Sequence, residues 1–92
     1  MHEVTIKLAA PLRKYAADQR DLRLSGITVG EVLEQMSLAY PALGMRVFES
    51  PSQLHPFVGV YVGRTNIRDS DGLMCSVSQG DVVSLVIAVA GG

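Results

Sequence analysis

The stretch that most limits how this chain can fold is 81–92, DVVSLVIAVAGG. Residues 82–89 are almost wholly apolar and rich in β-branched side chains, interrupted only by Ser84. Such a run predicts a strand buried on both faces rather than a half-exposed, alternating one. At eight residues it is far short of the roughly 20 that a membrane span needs. It leads into Ala90, Gly91 and Gly92. A buried strand would set the point at which this tail leaves the domain, and its two glycines predict a thin, mobile end.

The preceding segments supply the rest of a sheet. Residues 3–9 alternate strictly, with Val4, Ile6 and Leu8 on one face and Glu3, Thr5 and Lys7 on the other, which predicts a half-buried strand. Pro11 ends it, and 12–19 reads as a loop or a short helical turn. Residues 21–24 alternate again, with Leu22 and Leu24 inward, and predict an antiparallel hairpin with the first strand. Gly26 breaks that strand, and Thr28 with Glu31 forms a capping box in which each side chain takes a free amide at a helix start. Val29, Val32, Leu33, Met36 and Tyr40 then recur at helical spacing, and Pro41 closes the helix by disfavouring helical geometry at Tyr40.

Residues 42–56, with two prolines, a glycine and two serines, read as connection. Residues 57–62, FVGVYV, predict a strand; 63–66 a four-residue turn; 67–69 a short returning edge strand. Ser70, Asp71 and Gly72 are turn chemistry, 73–77 a helical turn or loop, and Gly80-Asp81 turns into the last strand. A helix between two hairpin-like units favours a right-handed crossover that sets the first and last strands parallel at the centre of the sheet. The expected fold is α+β, a β-grasp: a mixed sheet with one main helix across it, filling residues 1–89, followed by a tail at 90–92.

Size and composition allow one domain. The 92 residues are 48% apolar but only 5% aromatic, so aliphatic side chains must build the core. A formal net charge of -1, with no basic run, argues against nucleic acid or an anionic membrane as partner. The first residues lack the pattern of a signal peptide, and a reducing cytoplasm is the expected location. Cys75 is the sole cysteine, which excludes an internal disulfide and a four-cysteine metal site. His2 and His55 stand apart with no ligand cluster beside them, so no metal site is expected. Asp69 and Asp71 are explained by turn formation, and no glycine-rich phosphate loop is present, so no catalytic residue is assigned.

The whole-chain pattern resembles the ubiquitin-like sulfur carriers of the ThiS and MoaD group. The likeness is nearest to CysO-type carriers and lies in 54–62 (LHPFVGVYV), Asn66-Ile67-Arg68, Gly72-Leu73, Gly80-Asp81 and the final AVAGG. Only the terminal Gly91-Gly92 carries chemistry. The resemblance implies that an ATP-dependent activating enzyme, using ATP and magnesium of its own, adenylates the Gly92 carboxylate. A sulfur donor then displaces AMP, and the resulting thiocarboxylate passes sulfur to an acceptor synthase making cysteine or another sulfur-containing metabolite. Glycine leaves its carbonyl open to attack, and three residues beyond Val89 would reach roughly 10 Å into a partner. A precursor extending past Gly92 would need a processing metalloprotease. The alternatives are a small subunit of a molybdopterin-synthase-like enzyme, a ubiquitin-like protein modifier, and a plain binding module. Candidate docking residues are Arg64 and Arg68 for an acidic enzyme surface, or Phe57 and Tyr61 on an apolar outer sheet face.

Overall fold

The computed structural model describes residues 1–87; Ala90, Gly91 and Gly92, the expected tail, lie outside the described residues. In chain order the elements are β1 (His2–Leu8), α1 (Ala10–Arg13), β2 (Asp21–Gly26), α2 (Val29–Ala39), α3 (Pro41–Val47), β3 (Phe48–Ser50), β4 (Gln53–Leu54), β5 (Val58–Val62), β6 (Thr65–Asn66) and β7 (Val82–Ile87). Single 3-10 turns occupy Lys14–Ala16, Ile67–Asp69 and Gly72–Met74.

The main sheet has the order β2, β1, β7, β5, β6. β1 pairs antiparallel with β2 and parallel with β7, Ile6 opposite Val83 and Leu8 opposite Leu85. β5 pairs antiparallel with β7 from Val58 opposite Ile87 to Val62 opposite Val83. The first and last strands therefore lie side by side at the centre, as their patterns predict, and the fold is a β-grasp.

One face of the sheet packs on α2. Val4, Ile6, Val58, Val60, Val83 and Leu85 from the strands meet Val29, Val32, Leu33 and Met36 from the helix, all buried. Burying each such side chain contributes about 1.5–3 kcal/mol, and no polar or charged residue is buried among the described residues to offset it. The expected cap forms: the Glu31 amide donates to Thr28 Oγ1 at 3.2 Å, and the Ile27 amide donates to Glu31 Oε1 at 2.9 Å. Tyr40 leaves helical geometry, with φ −134° and ψ 81°, ahead of Pro41.

Three expectations need correction. β7 is not buried on both faces: Val83 and Leu85 are, but Val82 and Val86 are 37% and 38% exposed. Helices cover only one side of the sheet, so a strand flanked on both edges still has one open face. Pro41 ends one helix and also opens the next. At the first position of α3 its missing amide costs nothing, and Leu43 and Val47, one turn apart, reach the core. Residues 42–56, read as connection, thus hold α3 and the β3–β4 hairpin. The short helical turn expected in 12–19 forms as the end of α1 and the 3-10 turn Lys14–Ala16, with Pro11 at the second position of α1 and Leu12 and Ala16 buried. Lastly, the edge strand is β6, and Ile67–Asp69 is a 3-10 turn. Gly63, at φ +60°, closes a two-residue hairpin loop with Arg64, which brings the return strand forward. The Asn66 side chain then accepts from the Arg68 amide at 3.0 Å and starts the 3-10 turn.

Candidate functional site

The site is built around the C-terminal end of β7, from which the chain continues to Gly92. Two neighbours hold this end. On one edge the Ala9 amide donates to the Leu85 carbonyl at 3.0 Å. On the other, Ile87 stands opposite Val58. The segment entering β5 is itself clamped by Arg68, whose guanidinium donates to the carbonyls of His55 and Pro56 at 3.2 Å and of Val58 at 3.0 Å. A planar fork with several donors suits this task, because one side chain satisfies carbonyls aimed in different directions.

The structure separates the two arginines that the sequence offered together. Arg68 lies at the Ile87 end of β7. Arg64 lies in the β5–β6 loop at the other end, where the Gly63 amide donates to the Val82 carbonyl at 3.0 Å. A strand of that length sets the two ends about 17 Å apart. Phe57 falls just before β5 rather than within it; it is 43% exposed and stacks on His55 with ring centroids 4.8 Å apart. Tyr61 is half-buried, opposite Ser84 on β7 and Asn66 on β6.

The open sheet face also carries Val82 and Val86, which the sequence reading placed in the core. Ser84, the one polar residue in that run and half-buried here, marks the same face by its two-residue spacing from both valines. Gly59 sits opposite Val86. A Cβ there would stand 2.8 Å from Val86 Cγ2, so the glycine keeps the face low beside the strand end. Cys75 is half-buried and packs against the core. His55 is occupied by Phe57, and among the described residues no group of three or more His, Cys, Asp or Glu is placed to hold a metal. Among the described residues no helix is long and apolar enough to cross a membrane.

Comparison with known proteins agrees with this architecture. The ThiS family model matches residues 6–92. The chain is 35% identical over 91 residues to the sulfur carrier protein CysO of Mycobacterium tuberculosis, covering 97% of this chain and 98% of that protein. A chain in the crystal structure of the Amycolatopsis orientalis BexX/CysO complex superposes with a TM-score of 0.87 at 30% identity, covering 97% of this chain and 99% of that one. The small archaeal modifier protein 1 of Methanosarcina acetivorans gives a TM-score of 0.89 at 33% identity, covering 100% of this chain and 98% of that one. With its β-grasp sheet and a family match over nearly its full length, the chain belongs to the ThiS family.

Proposed function

We propose that the protein is a sulfur carrier that works through the carboxylate of Gly92. The observation that carries this reading is the family match running through Gly91-Gly92, four and five positions along the chain from the end of a central strand anchored on both edges. Kinship with proteins named as sulfur carriers supports it. In the form that ends on Gly92, a carboxylate oxygen attacks the α-phosphorus of ATP on a partner enzyme, with magnesium, and pyrophosphate leaves. A sulfur donor then attacks the acyl carbon and AMP departs, leaving a thiocarboxylate. That sulfur passes to an acceptor synthase making cysteine or another sulfur-containing metabolite, in a reducing cytoplasm.

The protein's own part is presentation rather than catalysis. The sheet holds Ile87, the last described residue before 88–92, in place, and the absence of a Cβ at Gly91 and Gly92 leaves the reacting carbonyl unobstructed. The activating enzyme docks on the open face and its margin, using Tyr61, Val82 and Val86 with Phe57 and Arg68 beside the strand end. Were the natural product longer than this sequence, a metalloprotease would expose Gly92.

The test is intact mass after incubation with ATP, magnesium, sulfide and an activating enzyme. A gain equal to exchange of one oxygen for sulfur is expected, and it is lost when Gly92 is deleted. Absence of both adenylate and sulfur adduct across a panel of such enzymes would refute the reading. A second reading, attachment of Gly92 to lysines of target proteins, is favoured by the likeness to small archaeal modifier protein 1. It predicts covalent conjugates in cells that disappear with the Gly92 deletion.

A further inference from the structure

The charge of this protein is segregated along its strands, although the sum is only -1. Because β1 and β7 run parallel, the residues that follow β1 sit at the end where β7 finishes. Arg13 donates from Nε to the Leu8 carbonyl at 3.1 Å, and the Leu8 amide donates to the Arg20 carbonyl at 2.8 Å, which brings both arginines to that end. Lys14 Nζ lies 5.3 Å from the centroid of the Tyr15 ring, and α3 brings Arg46 Cζ to 5.3 Å from the same centroid. Arg68 clamps the other side of the strand end. Thus Arg13, Lys14, Arg20, Arg46 and Arg68, five of the chain's eight lysines and arginines, gather there. The carboxylates beside them in chain or ladder are Asp18, Asp21 and Asp69, and Asp21 stands opposite Lys7 across β1 and β2.

The other end carries Glu3, Glu31 and Asp81 against Arg64 of the β5–β6 loop, and is the more acidic of the two. The Gly80 amide donates to the Glu3 carbonyl, the Asp81 carbonyl accepts from the Thr5 amide, and Glu31 bonds the amide of Ile27 next to β2. Two exposed cations over one half-buried ring are not a free arrangement: their mutual repulsion has to be offset by the ring and by whatever they face.

We propose that the Lys14–Tyr15–Arg46 cluster is a docking element for an acidic protein surface bordering the opening through which the activating enzyme takes up residues 88–92. The inference rests on the carrier reading above and names where and by what chemistry the partner is met. A dipolar carrier approaches an acidic opening with the β7 end leading, which raises the encounter rate without a high net charge. Net charge of -1 disfavours polyanions such as nucleic acid or a lipid surface, whereas arginine's fork suits carboxylates.

Steady-state kinetics of carrier adenylation decide it. Lys14→Gln with Arg46→Gln should raise KM for the carrier about tenfold and leave kcat unchanged. It should also flatten the fall of kcat/KM with added salt. Thr65→Glu with Gln79→Glu makes the same change in net charge at the acidic end and should match wild type. Lys14→Arg with Arg46→Lys should restore KM, and thermal unfolding should be alike in all four proteins. A wild-type KM and salt profile in the Lys14/Arg46 variant overturns the inference. So does an equal rise in both charge-changed variants, since net charge alone would then explain it. Wild-type protein that accepts no adenylate overturns the carrier reading, and this inference with it.

Discussion

Gly44 in α3 lies directly against Ser37 in α2: a Cβ at position 44 would stand 2.5 Å from Ser37 Oγ, 2.7 Å from its Cβ and 3.1 Å from its Cα. The Ser37 hydroxyl cannot swing clear cheaply, because it donates to the Leu33 carbonyl at 3.0 Å. This contact lets the second helix close over the first and places Leu43 and Val47 in the core.

Gly44→Ala should therefore destabilise the protein, even though alanine is favoured over glycine in helices by about 1 kcal/mol. Forcing the helices apart costs about 1–3 kcal/mol of overpacking, and with Ser37 pinned by its own hydrogen bond the upper part of that range applies, so a net loss approaching about 2 kcal/mol is expected. The midpoint of urea unfolding measures it, and a higher midpoint would contradict the packing described.

Arg68→Lys tests the clamp. One ammonium cannot reach the carbonyls of His55, Pro56 and Val58 together as the guanidinium does. A loss of about 1–2 kcal/mol is expected, limited because these groups are reached by water. Amide exchange in 55–58 should quicken more than in α2. Uniform exchange across both would show that the arginine does not hold this edge.

Ala17 sits at φ 53° and ψ 38°, with Asp18 following at φ 61°. Left-handed backbone costs a residue with a Cβ about 1–2 kcal/mol, while a glycine there loses about 0.5–1 kcal/mol through the freer unfolded chain. Ala17→Gly should stabilise by about 0.5 kcal/mol, a rise of roughly 2–4 °C in Tm. A fall in Tm would mean that the loop carries no strain.

Phe57→Ala combined with Val86→Thr removes apolar surface from the open face and its margin while keeping a strand-compatible residue at position 86. Stability should change by no more than about 1 kcal/mol, because both side chains are already more than a third exposed. KM for the carrier in adenylation should rise about fivefold or more, as for a docking surface with an apolar centre. An unchanged KM would remove this face from the interface.

Much of the fold was legible in local pattern. The alternation of Val4, Ile6 and Leu8, the Thr28–Glu31 cap, and the helical spacing from Val29 to Met36 each encode one element through nearby residues alone. The helix α3 was missed because Pro41 carries two meanings, a stop for α2 and a start for α3. Only the burial of Leu43 and Val47 one turn apart selects the second meaning. The 3-10 turn at Ile67–Asp69 was missed because the decisive contact is a single side chain, Asn66, capping its own neighbour.

By itself the sequence determined the main strands, the capped α2, the central parallel pair and the glycine pair at 91–92, from local pattern and the handedness of one connection. Which face of β7 meets solvent was settled by tertiary structure, because an apolar run reports that a strand is flanked by others but not that helices cover only one side. The positions of the cations were settled there too. Arg64 and Arg68 are four residues apart in sequence yet fall at opposite ends of β7. Lys14 and Arg46 are 32 positions apart yet share the Tyr15 ring. Charge acts through space with a reach of about 8–10 Å at ordinary salt, and only the folded chain says which residues fall within it.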